Sequence, residues 1–191
     1  MATEIELKAH VQESETLKAL LFLKAEYTSA FEKEDTYWFF APGPGTPAVS
    51  RVRLRRERQS FPDGKVLSAT LATCKAKERR DGIEVNDELE FAVDPALEFE
   101  RFLKTLGFKP GISKRKRGWA FSRGNITAEL AEVKGLGWFI ELEILTDDIR
   151  EEIVAESKER LLGFLDDLGV DRGDIEHRYY TEMLTPALSD T

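Results

Sequence analysis

The chain has 191 residues, 41% of them hydrophobic, and its 28 basic against 36 acidic side chains leave a formal net charge of −8. That size suits one domain, 1–191, with a single core, and the acidic balance argues against a nucleic-acid or anionic-membrane surface, so any polyanion must be held at a local basic site. A lone cysteine, Cys74, excludes an internal disulfide; the start Met1-Ala2-Thr3-Glu4 lacks a basic and an apolar leader region, and no apolar run approaches the ~20 residues of a membrane span, which together predict a cytoplasmic chain.

The first predicted strand, residues 3–10, alternates strictly. Glu4, Glu6, Lys8 and His10 share one face, while Ile5, Leu7, Ala9 and Val11 share the other. A helix over 14–24 follows, with Ser14 as its expected cap and an apolar stripe through Leu17, Leu20 and Leu21. Residues 26–40, rich in Tyr, Phe and Trp, predict a strand or strand pair, and Pro42-Gly43-Pro44-Gly45-Thr46-Pro47 then breaks regular structure. Strand three, 49–57, presents Arg51, Arg53 and Arg55 on one face; strand four, 66–77, presents Thr73, Lys75 and Lys77; strand five, 83–93, presents Asn86, Glu88 and Glu90.

Pro95 opens a second helix with apolar positions at Leu97, Phe99, Phe102, Leu103 and Leu106, ended by Gly107. Strand six, 109–121, carries Lys114-Arg115-Lys116-Arg117 and is charged on both faces, so periodicity leaves its inward set open. Strand seven places Thr127, Glu129 and Ala131 together, and strand eight, 138–145, alternates Glu141 and Glu143 with Ile140, Leu142 and Ile144. A hairpin turn at Gly135-Leu136-Gly137 joins them. A long helix over 148–168 and a short one near 175–184 complete the chain. Cys74 falls on the apolar side of its strand, as a small buried hydrophobe, and His10 and His177 are ordinary polar histidines.

Turn-linked strands at this spacing predict a predominantly antiparallel α+β fold, in which eight strands close, or nearly close, into a barrel. The helices need an apolar surface, and only the apolar face of each strand supplies one, so helices pack outside and the charged faces line a hydrated tunnel. Clustered Arg and Lys suit phosphate oxygens, and carboxylates without His or Cys neighbours suit a hard cation such as Mg²⁺ or Mn²⁺. A metal-complexed polyphosphate satisfies both sets.

These residues resemble the CYTH proteins, the triphosphate tunnel metalloenzymes, which include class IV adenylate cyclases, thiamine triphosphatases and inorganic triphosphatases. Glu4-Ile5-Glu6-Leu7-Lys8 matches their ExExK signature, and it is followed in the family's order by Asp35-Thr36-Tyr37, Arg51-Val52-Arg53, Thr73-Cys74-Lys75, Glu88-Leu89-Glu90, Lys114 to Arg117, Glu132 to Gly137 and Glu141-Leu142-Glu143. The ending Arg178 to Leu184 also resembles the Tyr-x-Glu-Met/Leu-Leu tail of shorter members. Two positions differ: Ala131 stands where Asp is usual, and Asn86 where Arg is common.

By position the resemblance implies Glu4, Glu6, Glu141 and Glu143 as metal ligands for Mg²⁺ or Mn²⁺, and Glu88 and Glu90 join them from the same strand faces. Arg51, Arg53, Lys75, Lys77 and Lys114 or Lys116 would hold phosphates, with Arg55 beside them. Lys8 and Glu129 are the candidate catalytic side chains, Glu129 in place of the missing Asp. The implied activity is metal-dependent hydrolysis of a small-molecule triphosphate; a cyclase releasing cyclic AMP and pyrophosphate is the alternative, and a non-catalytic polyphosphate or nucleotide binder the third. No nucleic-acid or membrane partner is expected, and a homodimer is left open.

Overall fold

A computed structural model describes residues 3–40, 51–80 and 82–185, without the side chains of residues 51 and 76–78. The predicted Pro42 to Pro47 loop lies outside the described residues. Eight strands are present: β1 (Thr3–Val11), β2 (Glu26–Phe40), β3 (Arg51–Ser60), β4 (Val66–Arg80), β5 (Ile83–Ala92), β6 (Phe108–Arg123), β7 (Ile126–Val133) and β8 (Gly137–Thr146). They close in the order β1-β5-β4-β3-β2-β6-β7-β8, with every pairing antiparallel. Two meanders, β2 to β5 and β6 to β8, join edge to edge at β2 and β6, and β1 closes the circle.

That closure is uneven. β1 pairs with β8 from Thr3 to Val11 but with β5 only from Thr3 to Glu6. The remaining edge of β1 is taken by the end of the chain: Ile175 bridges to Ala9, and the Glu176 amide donates to the Lys8 carbonyl at 2.9 Å. For that reason only Tyr180–Leu184 (α4) is helical in the region expected to hold a short helix from 175.

The other helices are α1 (Ser14–Lys24), α2 (Ala96–Thr105) and α3 (Glu151–Asp167). Ser14 is the first helical residue rather than the cap; Glu13 occupies the cap position without a side-chain hydrogen bond. α3 starts later than expected because Asp148 turns back on the chain, accepting from the Arg150 amide at 3.0 Å. Leu17 and Leu21 of α1 and Leu161, Phe164 and Leu165 of α3 pack on the outward apolar rows of β1, β7 and β8, including Ile5, Leu130, Ile140 and Leu142. Each such side chain contributes roughly 1.5–3 kcal/mol relative to exposure. The helices therefore cover the barrel from outside, as the patterning requires.

The cover is incomplete over β4 and β5. α2 inserts Leu103 against Trp38, Leu54 and Ala72, but Cys74 lies two residues further along β4, opposite Leu89, which is 54% exposed. Cys74 is exposed, not a buried hydrophobe. At the β6–β7 crossing the chains pass so closely that a Cβ on Gly118 would meet the Leu130 carbonyl oxygen at 2.0 Å. Only glycine fits there.

Candidate functional site

Strand alternation sends one side chain in two into the barrel. They line a cavity of about 690 Å³: Glu4, Glu6 and Lys8 from β1, Lys33 and Tyr37 from β2, Arg53, Arg55 and Glu57 from β3, Thr73 and Lys75 from β4, Glu84, Glu88 and Glu90 from β5, Lys114 and Lys116 from β6, Glu129 from β7, and Glu141 and Glu143 from β8. The ambiguity of β6 is resolved, with Lys114 and Lys116 buried and Arg115 and Arg117 outside. The side chains of Arg51 and Lys77 lie outside the described residues.

Three ion clusters organise the wall. In the first, Lys116 Nζ donates at 2.7 Å to both Glu129 and Glu141, Lys33 donates to the other Glu129 oxygen at 2.5 Å, and the Tyr180 hydroxyl donates to the other Glu141 oxygen at 2.6 Å. In the second, fully buried Asp35 accepts from Arg55 Nε at 2.7 Å and lies 3.1 Å from Lys114 Nζ. In the third, Lys75 pairs with Glu4 and lies 3.4 Å from Glu88 and 3.8 Å from Glu6, while Arg53 donates to Thr73, to Glu88 at 2.7 Å and to Glu90 at 3.2 Å. Lys8 donates separately to Glu84 at 2.6 Å.

Several of these side chains carried no predicted role. Glu84 shares the parity of Glu88 and was readable from it. Lys33 and Asp35 were masked by Glu32 and Glu34, which give β2 charges on both faces, so a period of two could not choose between them. Tyr180 enters from α4, donating to Glu141 and packing on Phe139 with Lys114 over its ring, and it joins the cavity lining with Tyr179, Thr181 and Glu182.

Electrostatics divide the carboxyls into two groups. Burial, the hydrogen bond with Glu88 and the neighbouring Glu143 raise Glu4 to about 9; burial raises Glu6, reinforced by Glu141 and Glu84; burial and Glu6 raise Glu143 to about 7. Burial would raise Glu88 too, but its contact with Glu4 and the charges of Lys75 and Arg53 outweigh it and hold Glu88 at about 2. Against the same burial, Lys116 draws Glu129 far down and Glu141 to about 2.

This division tests the fit to a metal. Glu141 and Glu129 already have both oxygens engaged, whereas Glu4, Glu6 and Glu143 are half-buried carboxyls whose negative charge is under-compensated, a hard-oxygen donor set that suits a divalent cation. Among the described residues no three His, Cys, Asp or Glu side chains stand together as a ready-made metal cage. The Lys75 ammonium holds the place of the positive charge these carboxyls need. At the two divergent positions, Ala131 is fully buried against Phe31 and Ala120, and fully buried Asn86 has no hydrogen-bond partner for either side-chain amide atom among the described residues.

Comparison with known proteins follows the same lines. The CYTH domain pattern matches residues 2–180. A Methanocaldococcus jannaschii protein provisionally named adenylate cyclase is 25% identical over 186 residues, 94% of this chain and 97% of that one. The solved PH1012 protein of Pyrococcus horikoshii superposes with a TM-score of 0.72 at 29% identity, covering 95% of this chain and 99% of its own. A Hippeastrum protein studied as an adenylyl cyclase, and described as having a dominant triphosphatase activity, has a TM-score of 0.63 at 16% identity, covering 96% of this chain and 95% of its own. No helix among the described residues is long and apolar enough to cross a membrane.

Proposed function

The chain belongs to the CYTH domain family, and we propose that it is a metal-dependent hydrolase of a small-molecule triphosphate bound inside the barrel. The observation that carries this reading is the single cavity in which Arg53, Arg55, Lys75, Lys114 and Lys116 face Glu4, Glu6 and Glu143. Triphosphate brings a chain of anionic oxygens for the bases, and its metal complex brings a cation for the carboxyls.

In this reading Arg53, at the Thr73 and Glu90 end, grips phosphate oxygens through its planar fork, and Lys114, Lys116 and Lys8 neutralise the rest of the chain. Glu4, Glu6 and Glu143 would hold Mg²⁺ or Mn²⁺, with Glu88 beside them; the bound ion would polarise phosphoryl oxygens and the attacking water. Lys75 moves from its carboxylates to the substrate as these fill. Arg55 belongs to the frame more than to the grip, because its guanidinium is committed to Asp35. Glu129, clamped by Lys33 and Lys116, keeps those two ammonium groups in place, and their charges hold its carboxyl well below the usual range. Catalysis then rests on positioning and charge.

A second reading, supported by the name attached to the Methanocaldococcus relative, is that the same grip presents the α-phosphate of ATP to its own ribose hydroxyl. Incubation of the protein with Mg²⁺ or Mn²⁺ and, separately, tripolyphosphate, thiamine triphosphate and ATP separates the two. Orthophosphate release supports the hydrolase, cyclic AMP with pyrophosphate the cyclase, and no turnover of any of the three overturns both.

A further inference from the structure

On the outside of the barrel, sharing no lining residue with the tunnel, a cavity of about 290 Å³ lies among Glu32 of β2, Arg58 and Ser60 of β3, Arg117 and Trp119 of β6, and Trp138 of β8. The two indole rings are parallel to within 2°, their centroids 5.8 Å apart, and Lys18 Nζ of α1 sits 3.6 Å from the Trp119 centroid. A wider groove of about 1130 Å³ shares Glu32, Arg58 and Arg117 and continues to Arg56 and Arg115.

The charges at this cavity are arranged against the usual cross-strand pairing. Glu32 stands opposite Arg58 on β3 and opposite Arg117 on β6. Yet Arg117 donates to Glu132 instead, and among the described residues neither the Glu32 nor the Arg58 side chain has a hydrogen bond or ion pair. Neighbouring opposite charges on one sheet face ordinarily pair. Here a carboxylate and a guanidinium stay apart at the rim of an aromatic cavity, which leaves one acceptor and one double donor for a third party.

We propose that this cavity binds a guanine nucleotide. The tryptophan wall suits a planar base, since packing of a base on tryptophan is favourable and needs no matched hydrogen bonds. The Glu32 carboxylate, two acceptors side by side, matches the adjacent N1–H and N2–H donors that guanine presents on one edge and adenine does not. Arg58 and Arg117 then take phosphate oxygens; Arg56 and Arg115, further along the groove, are already paired with Glu100 and Glu34. A cavity of this size sits at the small end for ligand sites and admits one nucleoside, not an oligonucleotide. The small cavity shares no lining residue with the tunnel, although the wider groove beside it reaches Lys33, Glu57 and Lys116 of the tunnel wall.

The test uses the full chain with tripolyphosphate in excess to fill the tunnel. Tryptophan fluorescence and calorimetry are followed during titration with GMP, AMP and ribose 5-phosphate, in wild type, Arg58→Ala, Glu32→Gln and Trp138→Leu. Trp38 is buried, so quenching reports on Trp119 and Trp138. Saturable quenching by GMP is expected, with affinity at least about tenfold above AMP, a loss of about tenfold or more in Arg58→Ala, and no GMP preference in Glu32→Gln. Should Trp138→Leu fail to fold, the two exposed charge variants still decide the matter. Absence of saturable binding at low millimolar GMP, or unchanged binding in Arg58→Ala, would each overturn the site.

Discussion

The Tyr180 hydroxyl donates to Glu141 at 2.6 Å, so a side chain from the last helix orients a carboxylate on the eighth strand. Burial, together with the Glu141 charge, holds the phenol well above its usual pKa, and it therefore remains a donor at any working pH. Tyr180→Phe keeps the ring beside Lys114 and Phe139 but leaves Glu141 with Lys116 alone. Leaving a buried acceptor half satisfied costs about 1–3 kcal/mol. Calorimetric melting is expected to show a lower Tm of corresponding size, and an unchanged Tm would mean that water replaces the phenol.

Buried Lys116 is the shared cation of two half-buried carboxylates, Glu129 and Glu141. Lys116→Met leaves them facing each other, a loss expected at roughly 3–5 kcal/mol because an uncompensated buried charge remains. Glu129→Gln in the same chain removes one of the two charges and should recover part of that loss. Urea unfolding of the two single variants and the double variant forms a cycle, and purely additive losses would show that Lys116 and Glu129 are not coupled.

Most of this was readable beforehand where a strand has one charged face and one apolar face. Glu4-Ile5-Glu6-Leu7-Lys8 and Glu141-Leu142-Glu143 are such strands, and their parity alone aims the carboxyls into the barrel. Where both faces are charged, as in β2 and β6, parity is silent, and only the register Asp35↔Lys114 and Lys33↔Lys116 shows which charges meet inside. Tyr180 was recognisable as part of a tail motif but not as a partner of Glu141, since 39 residues separate them and no local pattern records a contact across a closed barrel. Cys74 was misplaced because an apolar row does not reveal where its covering helix stops.

Metal binding should carry a proton signature. Glu143 is raised by burial and Glu6 from its ordinary 4.5 to about 7, so a cation that binds its carboxylate displaces a proton below that pH. The logarithm of Mn²⁺ affinity is expected to rise with pH up to about 7 and more gently towards 9, where the proton on Glu4 is also lost. Calorimetry in buffers of different ionisation enthalpy counts the protons, and Glu143→Gln should remove the lower phase. For the metal-free protein the sign is opposite. A folded pKa above the unfolded one means the folded state binds more protons, so this group's contribution to stability falls between about 4.5 and 7 and is constant above. A melting temperature that rises through that window in Glu143→Gln relative to wild type would agree, and parallel profiles would not.

The two inward arginines of β3 should separate frame from grip. Arg55 meets fully buried Asp35 through Nε at 2.7 Å and through a second nitrogen at 3.1 Å, whereas Arg53 spans Thr73, Glu88 and Glu90 beside the partly exposed Glu90. Lysine in either place keeps the charge and loses the fork. At position 55 the loss falls on Asp35, which keeps only Lys114, and Arg55→Lys is expected to cost about 1–3 kcal/mol of stability. At position 53 the carboxylates stay within reach of Lys75 and of solvent, so Arg53→Lys should melt close to wild type yet bind tripolyphosphate about tenfold more weakly, with little change for orthophosphate, which needs no fork spanning successive phosphates. Thermal melts and calorimetric titrations with both anions read the two effects separately. If Arg53→Lys lost stability while keeping full tripolyphosphate affinity, the roles assigned to the two residues would have to be exchanged.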